Sequence, residues 1–174
     1  MPWNLLLDKL RNLIRNTSPK NTAINRTDIM RDVVVSEVEK LIKKYKTRDP
    51  FEIAKRLGIH VIPWHFPDEV QGMYKYERQQ KFIFLNANLG GDRPFVMGHE
   101  VGHAVMHPKH NASFLRKSTL FPESKFERQA SQFAVELLLP DEYIQEYKNT
   151  SLSIYEIAEM QGVPREVAHL KKFK

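Results

Sequence analysis

Hydrophobic positions recur at helical spacing from the first residues of the chain: Trp3, Leu6, Leu7, Leu10, Leu13 and Ile14 make one stripe, with Asp8, Lys9, Arg11 and Arg15 off it. This predicts a short amphipathic helix that docks on the body, on a partner or on a membrane surface, and a polar face that is not strongly basic argues for the first two. Residues 16–26, with Ser18, Pro19 and several Asn and Thr, read as a linker. A second helical period, through Val34, Val38, Leu41, Ile42 and Tyr45, covers residues 28–46. Asp49-Pro50 then opens a shorter helix that stops at Gly58, a residue suited to the position just past a helix end.

After Gly58 the period changes. Residues 59–66 are apolar and β-prone but include Pro63, which suits an edge strand. Residues 72–76 and 81–86 flank the polar turn 77–80 as a hairpin does. Helical spacing returns over residues 92–106, 123–138, 141–148, 154–161 and 164–172, with Pro94 at one helix start and Pro140 closing the longest of them. Helices, sheet and helices in that order predict an α+β fold with a small, mostly antiparallel sheet. The chain divides into an N-terminal helix and linker (1–26), a body (27–150) and a C-terminal helical pair packed on it (151–174).

At 174 residues the chain is long enough for one core without staples. It has no cysteine, which excludes disulfides, thiolate metal sites and a cysteine nucleophile together, so any metal must be held by His and carboxylate. The net charge of +6 comes from 27 Lys and Arg against 21 Asp and Glu, and it is scattered rather than gathered in one tract. DNA binding is therefore not expected from charge. No window is apolar for the roughly 18 residues of a membrane span, and Leu5-Leu6-Leu7 is broken by Asp8 and Lys9 too soon for a signal peptide, which predicts a cytoplasmic protein.

The candidate chemistry lies at His99-Glu100-Val101-Gly102-His103. On a helix, positions i and i+4 are about 6 Å apart along the axis, so His99 and His103 can reach one ion, while Glu100 points aside, toward an attacking water. Met97, Val101, Ala104 and Val105 form an apolar stripe facing away from the two histidines, so the helix is expected to be covered on both sides. A third protein ligand is needed for a catalytic site, and Glu127 lies on the apolar stripe of the next long helix with Ala130, Ala134 and Leu138. A carboxylate there is either a zinc ligand or the partner of a nearby Arg or Lys. The small Ala130 and Ala134 would let the two helices approach closely. His107 raises a three-histidine alternative, but it sits ~12 Å along the axis from His99 on an unbroken helix and is read as a supporting residue. His60, His65, His110 and His169 have no assigned role, although His110, with Tyr74 and Tyr76, is a candidate electrophilic partner.

With His99-Glu100-Val101-Gly102-His103-Ala104-Val105-Met106-His107 and then the run from Glu127-Arg128-Gln129-Ala130-Ser131 through Phe133-Ala134 to Leu137-Leu138-Leu139-Pro140, the chain resembles the ImmA/IrrE family of metallo-endopeptidases over residues 50–140. The resemblance implies a zincin-like minimal metallopeptidase domain built around a HExxH helix, with a gluzincin-like site. It also implies Zn²⁺ held by His99, His103 and Glu127, and Glu100 as the catalytic residue. Ser131 stands where the family often has Asn. Members of phages and integrative elements cleave a repressor to release the element's genes, so the implied substrate is a helix-turn-helix repressor encoded separately. The competing function is a non-proteolytic metal-binding or DNA-binding regulator, whose one sequence support is a helix-turn-helix-like pattern at residues 154–172.

Overall fold

The computed structural model describes residues 26–91, 93–111, 115–116 and 124–171, so the expected N-terminal amphipathic helix lies outside the described residues. Helix α1 (Arg26–Tyr45) places Val34, Val38 and Leu41 against the core, as their spacing requires. Helix α2 (Pro50–Arg56) begins where Asp49 accepts a hydrogen bond from the Phe51 N–H and Pro50 occupies the first turn, and it ends before Gly58 at a φ of 67°.

Four strands follow: β1 (Ile59–Trp64), β2 (Val70–Glu77), β3 (Gln80–Asn86) and the short β4 (Leu115–Arg116), in the sheet order β1-β3-β2-β4. The β2–β3 hairpin turns through Arg78 and Gln79, both at positive φ, a turn whose twist matches that of the flanking strands. The sheet is mostly antiparallel but mixed: β3–β2 and β2–β4 are antiparallel, while β1 pairs parallel with β3, a departure from a purely antiparallel sheet. The cause is topological. The hairpin carries β3 back into the place beside β1, where it runs in the same direction as β1, and a crossover joins β1 to β2. Asn86 holds that crossover through its side-chain amide, which donates to the carbonyls of Pro67 and Val70. Pro63 does sit in an edge strand.

Helix α3 (Arg93–Met106) crosses the inner face of the sheet, and α4 (Lys125–Leu138) lies against α3. Helices α5 (Asp141–Glu146) and α6 (Ile154–Met160) and a 3-10 helix (Arg165–Leu170) complete the described chain. One core cluster joins α1, α2, the inner sheet face, α3 and α4, and a second joins α4 to α6 and the 3-10 helix through Ile157, Val163, Val167 and Leu170. Arg48 donates to the carbonyls of Glu136 and Leu137 at the end of α4, satisfying groups a helix terminus leaves open. The α+β class stands.

Candidate functional site

Helix α3 is buried from Phe95 through Ala104, so both of its sides are covered, as the two-faced sequence pattern requires. What brings α4 so near is the absence of side chains. A Cβ at Gly102 would lie 3.0 Å from the Ala130 Cα and 3.0 Å from the Ala130 carbonyl oxygen, and one at Gly98 would lie 3.2 Å from the Ala134 Cβ. Two glycines on α3 thus face the two small alanines on α4, and the glycine half of this contact was not singled out from the sequence. Its signal was there: Gly98 and Gly102 repeat the spacing of His99 and His103 one residue earlier.

This close crossing sets His99, His103 and Glu127 together. The His99 and His103 Nε2 atoms are 3.1 Å apart, and Glu127 Oε2 is 3.1 Å from the first and 3.4 Å from the second. Three donor atoms at these separations fit a metal ion, because tetrahedral corners about 2.0 Å from an ion lie roughly 3.3 Å from each other. Among the described residues these three form the one His and carboxylate group of this kind. They could hold a metal.

The electrostatics suit the same use. Burial pushes His99 down to about 4, beyond what hydrogen bonding to Glu127 restores, so its imidazole is neutral at pH 7 and its ring nitrogen is available as a ligand. Its Nδ1 lies 3.2 Å from the Ser131 Oγ, a contact that orients the ring and leaves Nε2 facing Glu127. Ser131, which stands where the family often has Asn, thus lies against His99. Burial would raise the Glu127 carboxyl, but hydrogen bonds from His103 and His99 outweigh that and hold it well below the usual carboxylate range. Ser124 caps α4 by accepting from the Glu127 N–H, and the helix N-terminus also favours the anion.

Glu100 is fully buried beside this group, and burial followed by the Glu127 charge pushes its carboxyl well above the ordinary value, against the Tyr74 backbone N–H, which lowers it. It lies against β2 at Gly72, where a Cβ would come within 3.2 Å of Glu100 Oε1 and 3.0 Å of Val96 Cγ1. Gly72, like Gly98 and Gly102, was not singled out from the sequence.

The other candidates fall elsewhere. His107 follows the end of α3, stacks on Phe126 with ring centres 4.4 Å apart and lies outside the donor group. Burial, then the neighbouring His103 and His110, push it down to about 4. The Tyr74 hydroxyl donates to the Pro108 carbonyl at 2.7 Å, so it is already engaged, and burial raises it to about 12. The Tyr76 N–H bonds Asn111, and His110 rests on Phe126. His60 stacks on Phe82 on the far side of the sheet, while His65 and His169 are exposed.

A histidine and carboxylate group on two tightly crossed helices, with a buried glutamate beside it, is compatible with a metal-dependent hydrolase. The chain belongs to the Peptidase_M78 family, the IrrE N-terminal-like domain, whose model matches residues 54–171. That match runs past the motif-bearing helices to include α6 and the 3-10 helix. The chain is 49% identical over 140 residues to "Uncharacterized immunity region protein 2" of Bacillus phage phi105, covering 80% of this chain and 89% of that one. It is 28% identical over 128 residues to "Metallopeptidase ImmA" of Bacillus subtilis strain 168, covering 68% and 75% respectively.

Proposed function

We propose that this protein is a zinc-dependent endopeptidase of gluzincin-like layout, acting in the cytoplasm on a helix-turn-helix repressor and so releasing the genes of a phage or mobile element. The observation that carries the peptidase reading is the convergence of His99 Nε2, His103 Nε2 and Glu127 Oε2 beside the buried Glu100. Zn²⁺ is favoured because two imidazoles and one carboxylate, with no thiolate in the chain, match a three-ligand hydrolytic zinc site. When bound, the ion supplies Lewis acidity toward water and the peptide carbonyl. Glu100 takes the proton of the attacking water and delivers it to the leaving amine. Its raised proton affinity, caused by burial and the Glu127 charge, favours uptake of that proton from water. Ser131 orients His99, and the Gly98 and Gly102 contacts hold α3 and α4 in register.

The substrate reading is supported by the similarity to an immunity-region protein of a phage and to a metallopeptidase. No helix among the described residues is long and apolar enough to cross a membrane. The rival DNA-binding reading gains little from residues 154–170: the segment that would have to read a groove is a 3-10 helix that buries Val167, Ala168 and Leu170 and exposes Arg165, Glu166 and His169.

The test is Glu100→Gln, which keeps the side chain's shape and removes its proton-accepting charge. In co-expression with a helix-turn-helix repressor that the wild-type protein cleaves, cleavage should fall by at least roughly 10² to 10⁴ at equal protein and metal content. Cleavage near the wild-type rate would sink the mechanism.

A further inference from the structure

The sheet has an inner face packed on α3 and an outer face that is apolar over Ile62, Trp64, Met73, Phe82 and Phe84, with Lys75, Glu77 and Gln80 on the same side at the hairpin end. Register pairs His60 with Phe82, Ile62 with Phe84, and Met73 with Phe84, and Trp64 continues the same side of β1. The rings form a chain of contacts: His60 on Phe82 at 5.2 Å, Phe82 to Phe84 at 6.4 Å, and Phe84 edge-on to Trp64 at 6.0 Å. None of these residues belongs to or packs against either core cluster, and Trp64 is 52% exposed. A sheet with one face in water normally turns polar residues outward, so an outward row of Ile, Met, Phe and Trp marks a covered surface.

We propose that the occupant is the chain's own N-terminal segment, residues 3–14, laid across this face by its Trp3, Leu6, Leu10 and Leu13 stripe. Only the sequence pattern and the length of residues 1–25 bear on the match, and both agree. Twelve residues at helical rise make a rod roughly 18 Å long and 10 Å wide, against a face about 13 Å along each strand and three strands, roughly 10–14 Å, across. The ten residues from 16 to 25, which precede α1, span up to about 33–36 Å, comparable with the roughly 40 Å width of a domain this size. A near-extended linker of this length permits the segment to lie on the outer face. Its apolar stripe and this face are each incomplete without a partner, and the tether makes their effective concentration high. This surface lies across the sheet from the peptidase group, and the inference does not depend on the peptidase reading.

The chain has two tryptophans, Trp3 in the segment and Trp64 on the face. In the full chain carrying Trp3→Phe, Trp64 becomes the sole indole reporter. Its emission should be blue-shifted and protected from acrylamide. Adding Leu6→Glu and Leu10→Glu should shift it to the red and raise quenching roughly two-fold, in proportion to the indole area returned to water, with the far-ultraviolet spectrum otherwise preserved. Because the chain lacks cysteine, Leu10→Cys with Met73→Cys gives an independent check: a short bis-maleimide should join them within one chain. Solvent-exposed Trp64 emission that the Leu→Glu changes leave unmoved, or crosslinks only between chains, would overturn the proposal. Protection of Trp64 that rises with protein concentration would also overturn it and assign the face to a second copy.

Discussion

Replacing Gly102 with alanine tests the claim that glycine–alanine contact between α3 and α4 builds the site. The new methyl would meet the Ala130 Cα and carbonyl oxygen at 3.0 Å each and the Phe133 Cβ at 3.1 Å. Ordinary carbon contacts are about 3.5–4.0 Å, so the helices must part by roughly 0.5–1 Å. Overpacking of this kind costs about 1–3 kcal/mol, while exchanging glycine for alanine in a helix returns about 0.8–1 kcal/mol. The net loss is then up to about 2 kcal/mol, or up to about 8 °C in melting temperature for a chain of this size. Because two of the close atoms are backbone, Ala130→Gly cannot relieve them. Gly98→Ala should be milder, since the nearest atom there is the Ala134 Cβ at 3.2 Å. The same parting moves Glu127 away from His103, now 3.4 Å apart, and metal sites tolerate only about 0.2 Å in ligand distance. Zinc affinity should therefore drop with stability. Thermal unfolding of the metal-free protein, with zinc titration against a chromogenic chelator, measures both. Wild-type melting and wild-type zinc affinity in Gly102→Ala would refute the reasoning.

Purified protein should carry about one zinc per chain, and His99→Ala, His103→Ala and Glu127→Ala should each lose most of it, as read by elemental analysis; full occupancy in Glu127→Ala would remove that residue from the ligand set. Lys171→Met should destabilise the fold by roughly 1.5–3 kcal/mol in urea unfolding, because Lys171 lies 2.8 Å from Glu136 and 2.7 Å from Asp141 and its loss removes these charge-assisted contacts beyond the end of α4. In the metal-free protein at pH 7, Glu127→Gln should lower the melting temperature and Glu100→Gln should raise it or leave it unchanged, and both effects should fade below about pH 4. The opposite ordering at pH 7 would contradict the charge assignments.

Much of the fold was legible because it rests on local periodicity. The stripes of α1, α3 and α4, the Asp49-Pro50 start, the Gly58 stop and the β2–β3 hairpin each follow from nearby residues. The parallel pairing of β1 with β3 was not legible, because nothing within Ile59–Trp64 specifies its partner; the neighbour is set by where the hairpin returns. In the site, His99, His103 and Glu127 were singled out by spacing and burial pattern, and the structure brings them together. Ser131 and Gly72 were harder to see. A serine inside a helix and a glycine inside a strand have many uses, and only the distances to His99 Nδ1 and Glu100 Oε1 give these two a role.

The two glutamates carry the point furthest. Both lie near the same histidines, and composition and spacing offer no charge state for either. Glu127 stands at a capped helix N-terminus and accepts from two imidazoles, so its ionised form is favoured. Its folded pKa is depressed, so its contribution to stability is present above the ordinary carboxylate pKa and is lost as pH falls through the folded value. Glu100 is sealed between α3 and the backbone of β2 and also feels the Glu127 charge, so its protonated form is favoured. Its folded pKa is raised, so stability falls as pH climbs past the ordinary value, and removing its charge relieves that loss. Environments that drive two like groups apart separate a ligand, which must stay anionic, from a base, which must take up and release a proton. On the proposed reading Glu127 is the first and Glu100 the second, and the sign of each stability change at pH 7 reports that division without any assay of cleavage.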